Sequence, residues 1–402
     1  MLPRLHRSTV HALAALALCA SAATTAAAQE TPAEFQSWRL PGWTFTPGVI
    51  MGALFDSNVA VAPPDANGKT ASDKLFQLQP FGQLAYYSAR TTFSGGYQGS
   101  LRRYVDLGSL DGTDHRAYFS LRERVTRRVT IFANDNYSQV ATTDQLELND
   151  VPFLRTGARY NSAAAGVDAR ATKSTDVLVR YEMTWVDFVR KDTLLTGGIV
   201  NGVRGEVTHR FSDRVSAGGE YGVRLSDLNQ ASEQLTFQDS GGVFRLRTGA
   251  RTTFEAAGGV AHFVDHNTSV TRTGPYAKLA LTRRAERATI GLAYNRSFVP
   301  SLAFGGANQS EEVRGYIQMP LARNRFYLQE SAAWRRTDPF VATELPLDSL
   351  YLHTVFGYAV QKWFRVEGYH SFTTQDNGVA AGQISRHVVG MQFVVSEPMR
   401  IR

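Results

Sequence analysis

The sequence predicts an all-β protein: a transmembrane antiparallel up-and-down β-barrel of about 18 strands (16–18), with short periplasmic turns and long extracellular loops. Three observations predict this fold. Hydrophobicity alternates with a period of two residues from Trp43 to the C-terminus. Short and long connections alternate between the predicted strands. The chain also begins with a segment that is typical of export.

Residues 1–28 are predicted to be a signal peptide, with cleavage near Ala28/Gln29. Arg4 and Arg7 supply a positive start, the segment 11–23 is apolar, and 26–28 is a run of three alanines. A membrane anchor is one alternative, but the apolar run is short for a bilayer span. A lipoprotein is another, but Leu18 stands before Cys19 where a small residue is needed. Residues 29–42 then form a short periplasmic segment, and residues 43–402 form one barrel domain.

The composition narrows the possible functions further. The 402 residues carry a formal net charge of +7, and removal of Arg4 and Arg7 without any acidic residue reduces it to +5. This mild excess is weak support for a nucleic-acid partner. Since Cys19 is the only cysteine, the processed chain would have no disulfide, no cysteine nucleophile and no cysteine-bound metal.

Three segments show the alternation clearly. In Val177–Val186, apolar and aromatic residues fall on one face, and Arg180 and Glu182 fall on the other. The segments Val215–Leu225 and Phe93–Leu101 follow the same pattern, with glycine or polar residues on the second face. Strands of this kind fit a wall that is apolar on the outside and polar on the inside.

The connections define the strand count. The short turns include 88–90, 126–128, 172–174, 212–214, 248–251, 284–287, 322–324 and 361–362. The longer loops cover 58–73, 105–114, 141–156, 189–197, 229–235, 267–271, 301–309, 337–345 and 375–383. Eight turns and nine loops separate eighteen strands. A soluble sandwich or propeller is the alternative, but a sheet can cross lipid only as a closed barrel.

If the apolar face points outward, the opposite face lines the lumen. The predicted pore-lining residues are Arg102, Arg122, Arg124, Asp168, Arg170, Arg180, Glu182, Arg204, Glu206, Glu220, Arg224, Arg245, Arg247, Glu255, Lys278, Arg314, Arg365 and Glu367. The pairs Arg180/Glu182 and Arg204/Glu206 share one spacing on consecutive strands, so they could form a cross-strand wall of opposite charges. That wall could stiffen the barrel or select solutes. Asp135 falls on the lipid face, which predicts a bulge or an interfacial position.

Charge is also predicted to differ between the two ends of the barrel. The short turns are basic, whereas the long loops are acidic, for example at Asp144 and Glu147, or at Glu311 and Glu312. A basic periplasmic mouth would concentrate anionic solutes, although turn arginines could instead meet lipid phosphates. A barrel of this size leaves a channel unless it is plugged, and loops 58–73 and 141–156 are the candidates to fold inward.

The sequence predicts that the protein is not an enzyme and has no cofactor or metal site. His370 and Ser371 are adjacent, but neighbouring residues of a strand point to opposite faces. The nine histidines show no HxxxH spacing. Glycine-rich positions such as Gly305 and Gly306 lack the context of a phosphate-binding loop.

Three segments carry a resemblance to a known group. WTFTPGVIMGALFDSNV (Trp43–Val59), RTTFSGGYQGSLRRY (Arg90–Tyr104) and TRRVTIFANDNYSQV (Thr126–Val140) resemble the outer-membrane β-barrel porins associated with bacterial exopolysaccharide export loci. The resemblance implies an anionic polysaccharide as cargo and a periplasmic polysaccharide-export protein as partner. The chain departs from ordinary outer-membrane barrels at its end, where Phe393 is the last aromatic residue and Arg402 is terminal.

The sequence therefore predicts an outer-membrane pore, exported with a cleaved signal peptide and surrounded by lipid. The preferred function is passage of exopolysaccharide to the cell surface. A general or solute-specific diffusion porin is the first alternative. A non-conducting structural or surface-binding barrel is the second.

Overall fold

The computed structural model describes residues 41–146, 148, 151–189, 195–229, 233–321, 325–340, 346–376 and 382–401. The predicted signal peptide, its cleavage site, Glu147 and most of the segment 29–42 lie outside these residues. The strands are β1 Gly42–Asp56, β2 Asp73–Tyr87, β3 Thr91–Tyr104, β4 Gly112–Arg124, β5 Val129–Val140, β6 Ala158–Arg170, β7 Thr175–Phe188, β8 Gly198–Arg210, β9 Val215–Leu228, β10 Glu233–Arg247, β11 Thr252–Asp265, β12 Thr271–Arg284, β13 Thr289–Pro300, β14 Ala307–Leu321, β15 Phe326–Pro339, β16 Leu347–Ala359, β17 Phe364–Asp376, β18 Ile384–Ser396 and the short β19 Met399–Ile401.

The strands close into a transmembrane barrel of eighteen strands, as the sequence predicts. Each strand pairs antiparallel with its neighbour in sequence, and β18 returns to pair with β1 from Gly48↔Ser396 to Asp56↔Val388. The short β19 continues this edge and pairs with Trp43–Phe45. The chain end thus completes the ring although it carries no terminal aromatic residue. No helix in the described ranges is long and apolar enough to cross a membrane.

The outer wall carries the apolar residues of the alternating pattern. Tyr97, Val179 and Tyr221 are each about half exposed, and Leu279 and Phe356 are exposed as well. These side chains have no core to bury them, because they face lipid. The predicted assignment of the two faces is therefore confirmed for these strands.

Serine and threonine shape several of the short turns. The hydroxyl oxygens of Ser88, Thr126, Thr172 and Ser212 each accept a hydrogen bond from the backbone N–H three residues later, at 2.8–3.1 Å. Such side chains stabilise tight turns by bonding to their own backbone. The short turns occur between even-numbered strands and the odd-numbered strands that follow them, and the long loops lie at the other end.

A glycine belt crosses β8 to β11, where neighbouring backbones approach closely. A Cβ atom at Gly218 would lie 1.8 Å from the carbonyl oxygen of Val207, and one at Gly259 would lie 1.9 Å from that of Ser240. Only glycine permits so close a backbone approach. A Cβ atom at Gly205, in contrast, would meet no atom of the described chain within 4 Å beyond its own chain neighbours.

Asp135 departs from the prediction made for it. The pairing of β5 with β4 and with β6 runs through Asp135 without interruption, opposite Phe119 and Ala163, so there is no bulge. Asp135 lies in the middle of its strand and accepts a hydrogen bond of 2.9 Å from Asn161 Nδ2. The amide of the neighbouring strand, rather than a change of register, satisfies this carboxylate.

Candidate functional site: the lumen wall and its extracellular closure

A cluster of charged side chains occupies the lumen beside β8, β9 and β10. Arg204 donates to Glu220 at 3.0 Å and to Asp239 at 3.1 Å, and Arg224 donates to the same oxygen of Asp239 at 3.2 Å. Tyr276, from β12, donates to Glu220 at 2.5 Å. Because this tyrosine is four strands from β8, the contacts are made across the inside of the barrel. Lys278 lies 5.1 Å from the ring centre of Tyr276.

The remaining predicted pore-lining residues form smaller groups along the wall. Arg245 donates to Glu206 at 2.5 Å and to Glu255 at 2.9 Å. Further pairs are Arg102–Asp114 at 2.8 Å, Arg122–Asp168 at 3.3 Å, Arg170–Asp176 at 3.6 Å, Arg314–Glu312 at 2.5 Å, Arg365–Glu367 at 3.5 Å, and Arg180 with Glu182. Arg124 lines the periplasmic cavity described below, and Arg247 is exposed at the periplasmic end of β10. Most of these arginines therefore have a carboxylate partner.

The predicted cross-strand wall of opposite charges is wrong in its register. Arg180 stands directly opposite Arg204, and Glu206 stands opposite Glu220. Like charges in register repel. Ion pairs with other residues offset this repulsion, since Arg204 pairs with Glu220 and Asp239, and Glu206 pairs with Arg245.

Several charged lumen residues escape the sequence prediction. Glu312 was expected in an acidic loop but lies within β14, where Arg314 and the buried Arg335 donate to it. Asp239 and Arg386 lie on the inner faces of β10 and β18. The surrounding segments are otherwise apolar or of mixed character. Their position on the alternating face was the signal that could have identified them.

The periplasmic mouth holds a basic cavity of about 460 Å³. Arg122, Arg124, Arg127, Arg128 and Arg170 line it together with Thr130, Asp168 and Asp176. Five guanidinium groups stand against two carboxylates, so the cavity has an excess of positive charge. Such an excess raises the local concentration of anions.

The described part of the loop between β5 and β6, residues 141–146, 148 and 151–157, is here called the strap, and it crosses the extracellular half of the lumen. Phe153 N donates to Gln375 of β17 at 2.8 Å, and the Phe153 ring packs against Tyr351 of β16 at 5.4 Å. Asp144 accepts from Arg386 of β18 at 2.7 Å, and Arg386 also donates to Asp56 at 2.6 Å. The strap therefore joins one side of the barrel to the opposite side, as one of the two predicted inward-folding loops.

The top of the β13–β14 hairpin, residues 297–310 and here called the hairpin tip, enters the lumen from another direction. Thr196 N and Gly197 N each donate at 2.8 Å to carbonyl oxygens of the tip, at Ala303 and Leu302. Arg224 of β9 donates at 2.8 Å to the carbonyl oxygen of Phe298. These contacts reach from β13 to the loop between β7 and β8, across the bore.

An apolar core joins the strap and the hairpin tip. Leu146 and Val151 of the strap share this core with Leu195, Leu302 and Ala303, all of which are at most 8% exposed. Inward residues of the surrounding strands complete it. The strap and the hairpin tip thus narrow the extracellular half of the lumen, whereas Arg122, Asp168 and Arg170 at the periplasmic end remain open to solvent.

The residues considered for other chemistry do not assemble a site. His370 stacks against His387 at 5.6 Å on the outer face, and Ser371, as the next residue of β17, points to the opposite face. Among the residues that the structure describes, no group of three or more histidine, cysteine or acidic residues is placed to hold a metal ion.

Comparison with known proteins gives likeness of shape alone. No protein-family model matches the chain, and no curated protein matches its sequence. Similar solved structures include OpdQ of Pseudomonas aeruginosa, with 8% identity, coverage of 90% of this chain and 98% of that one, and a TM-score of 0.43. OccAB4 of Acinetobacter baumannii shows 8% identity, coverage of 90% and 99%, and a TM-score of 0.44. The outer membrane protein OpdK of Pseudomonas aeruginosa shows 10% identity, coverage of 89% and 99%, and a TM-score of 0.41.

Proposed function

We propose that the protein is an outer-membrane diffusion porin for small anionic solutes. The observation that carries this proposal is the closure of the extracellular half of the lumen by the strap and the hairpin tip. Both are hydrogen-bonded to the opposite wall. A bore narrowed in this way suits small solutes that pass one at a time.

The same closure disfavours the preferred sequence-based function. A growing polysaccharide needs a continuous wide bore through the whole barrel. The strap would have to leave Gln375 and Arg386, and the hairpin tip would have to leave Thr196 and Gly197, before a polymer could pass. Passage of exopolysaccharide and a periplasmic export partner therefore stay predictions from resemblance, and the diffusion porin fits the geometry better.

Charge supports an anionic solute. The charged cluster beside β8, β9 and β10 contains two carboxylates, Glu220 and Asp239. They face three cations, Arg204, Arg224 and Lys278. The periplasmic cavity has five arginines and two aspartates. Rings of arginine and lysine favour anions in pores. An anion would therefore meet excess positive charge at the periplasmic cavity.

The test is the reversal potential of refolded protein in a planar bilayer across a KCl gradient. We expect a preference for chloride over potassium, and we expect Arg122→Gln and Arg170→Gln together to reduce it. Arg251→Gln is the matched control, since Arg251 lies on another short turn, exposed and paired with Glu286 at 3.2 Å. Cation preference would refute the proposal, and absence of conductance would favour the non-conducting barrel.

A further inference from the structure

The barrel wall is interrupted between the upper parts of β12 and β13. Their pairing extends from Arg284↔Thr289 upward and stops at Ala277↔Arg296. Above this point β12 continues to pair with β11 as far as Thr271, and β13 continues to pair with β14 as far as Pro300↔Ala307. Among the described residues, the segment 271–276 thus has a strand partner on one side only. We call the boundary between 271–276 and 297–300 the seam.

Phe298 shows that upper β13 has moved inside the wall. The alternation along β13 assigns Phe298 to the lipid face together with Arg296, yet its side chain is 3% exposed. A Cβ atom at Gly274 would lie 2.6 Å from the Phe298 ring, and the ring packs perpendicular to Phe340 at 4.9 Å. The outer face of upper β13 therefore lies against the inner face of β12.

The seam lies at the level where the lipid face becomes polar. Just below it, one row of neighbouring strands presents the residues Tyr294, Val313 and Trp334. The next row up presents Arg296, Glu311 and Arg336, with Arg296 and Glu311 paired at 3.0 Å. Aromatic residues mark membrane–water interfaces, so the free edge of β12 lies at the outer interface, where water can satisfy its backbone groups. Pro275, exposed on this edge, is a residue that sheets tolerate at edges.

Directly behind the seam lies a group of aromatic rings flanked by two guanidinium groups. Phe340 packs against Phe263 at 5.8 Å as well as against Phe298, and Phe263 packs against Phe237 at 5.2 Å. The exposed Arg272 lies 5.0 Å from the Phe340 ring, at the interface level. Arg224 lies 5.5 Å from the Phe237 ring, further inside. The seam is therefore filled by buried aromatic rings, with a guanidinium group at each end.

We propose that the seam is a lateral gate, through which an aliphatic amphiphile with one anionic head group, of the fatty-acid class, passes between the outer leaflet and the lumen. Its carboxylate pairs with Arg272 at the interface while its chain follows the Phe340, Phe298 and Phe263 rings inward. The chain then reaches the lumen beside Arg224. This route is separate from the anion pathway along the barrel axis.

The test is photolabelling in proteoliposomes. A diazirine-bearing palmitic acid is compared with a phosphatidylcholine that carries the same diazirine chain, and the labelled positions are mapped by mass spectrometry. We expect the fatty acid to label the inner side of the seam around Phe298 and Phe340, with competition by oleate. The phosphatidylcholine should label outward residues such as Leu279.

Variants separate the gate from ordinary lipid contact. Arg272→Gln is expected to weaken labelling of the seam by the fatty acid by about twofold to fivefold, which is the effect of losing an ion pair at an exposed arginine. Arg283→Gln, an exposed arginine at the other end of the same strand, is the matched control and should change nothing. Phe340→Ala should increase labelling, because it removes a ring that fills the seam.

Equal labelling by the two probes, confined to outward residues, would overturn the proposal. So would labelling of the seam that persists unchanged in Arg272→Gln and Phe340→Ala. Heat-modifiable gel mobility of each variant confirms that its barrel has folded. Ion selectivity of the same preparations is measured separately, so loss of the gate and failure of the anion porin give different results.

Discussion

Removal of the Asp144 carboxylate should release the strap from the wall. Asp144 accepts a 2.7 Å bond from Arg386, and the two side chains are 4% and 6% exposed. A hydrogen bond to a buried charged group contributes about 1.5–3 kcal/mol. Gln375 Nε2 donates to Val151 O and Phe153 N donates to Gln375 Oε1, and each of these two bonds contributes about 0.5–1.5 kcal/mol. Asp144→Ala thus removes one of several polar anchors of the strap, which also include the bonds that Arg155 donates to the carbonyl oxygens of Val59 and Leu110, while Asp56 still compensates Arg386.

A loss of this size raises the population of the released strap about 10-fold to 100-fold, since each 1.4 kcal/mol is a factor of ten. The assay is single-channel conductance of the refolded protein, with the frequency and amplitude of openings recorded at fixed voltage. We expect Asp144→Ala to open more often than the unaltered chain. Asp111→Ala is the matched control. Asp111 lies in the loop between β3 and β4 and pairs with the exposed Arg103 near the end of β3, and such surface pairs contribute about 0–1 kcal/mol.

Two results would refute this reasoning. If Asp144→Ala and Asp111→Ala give the same traces, the buried anchor does not hold the strap. If a flexible bis-thiol crosslinker joins cysteines at Phe153 and Tyr351 and leaves the frequent openings of Asp144→Ala unchanged, the openings do not arise from strap release. The two rings pack against each other at 5.4 Å, so a crosslink between these positions holds the strap in its bound position.

Three further predictions test other parts of the fold. Gly218→Val should prevent folding, because a Cβ atom there would lie 1.8 Å from a carbonyl oxygen, whereas Gly205→Ala should fold normally in a heat-modifiable mobility assay. The Arg103 guanidinium lowers the pKa of Asp111 below its usual 3.8. The ion pair between Asp111 and Arg103 should therefore persist as pH falls to about 4 and be lost below that. Protease sensitivity of the loop that carries Asp111 would show the loss. Asp135→Leu should raise the free energy of unfolding, measured by urea titration, by less than the ~2–4 kcal/mol that a lipid-facing arginine or lysine costs. An unchanged or lower free energy of unfolding would mean that the hydrogen bond from Asn161 contributes more than the desolvation of Asp135 costs.

The strand layout was predictable because it depends on local signals. Alternation sets the face of each residue, as for Val179 and Arg180, and turn residues such as Ser88 and Thr126 mark the short connections. A closed wall then follows from the need to pair every backbone group in lipid. The inner position of the predicted charged residues follows from the same alternation.

The contacts inside the lumen were not predictable in the same way. The partner of Arg204 is decided by the register between strands and by the close backbone approach at the glycine belt, neither of which appears in a single strand. Arg386 and Asp144 are separated by 242 positions in sequence. Phe298 is the clearest failure of alternation, because its strand leaves the wall and the period of two no longer refers to lipid and water.

The closure of the lumen by the hairpin tip and the seam in the wall have one physical origin. A barrel of eighteen strands has a bore too wide for its own inward side chains to fill. A loop can fill part of it, as the strap does, without disturbing the wall. The hairpin tip instead uses residues of the wall itself, and a segment such as 297–300 cannot bond to Thr271–Tyr276 while its neighbour Leu302 bonds to Gly197 across the lumen. Filling the bore with a wall hairpin therefore opens the wall at the strand that this hairpin leaves. If Thr196→Val, which removes the hydroxyl that donates to the carbonyl oxygen of Ala303 at 2.9 Å, reduced both the closure of the lumen and the labelling of the seam, the two features would be shown to depend on the same hairpin.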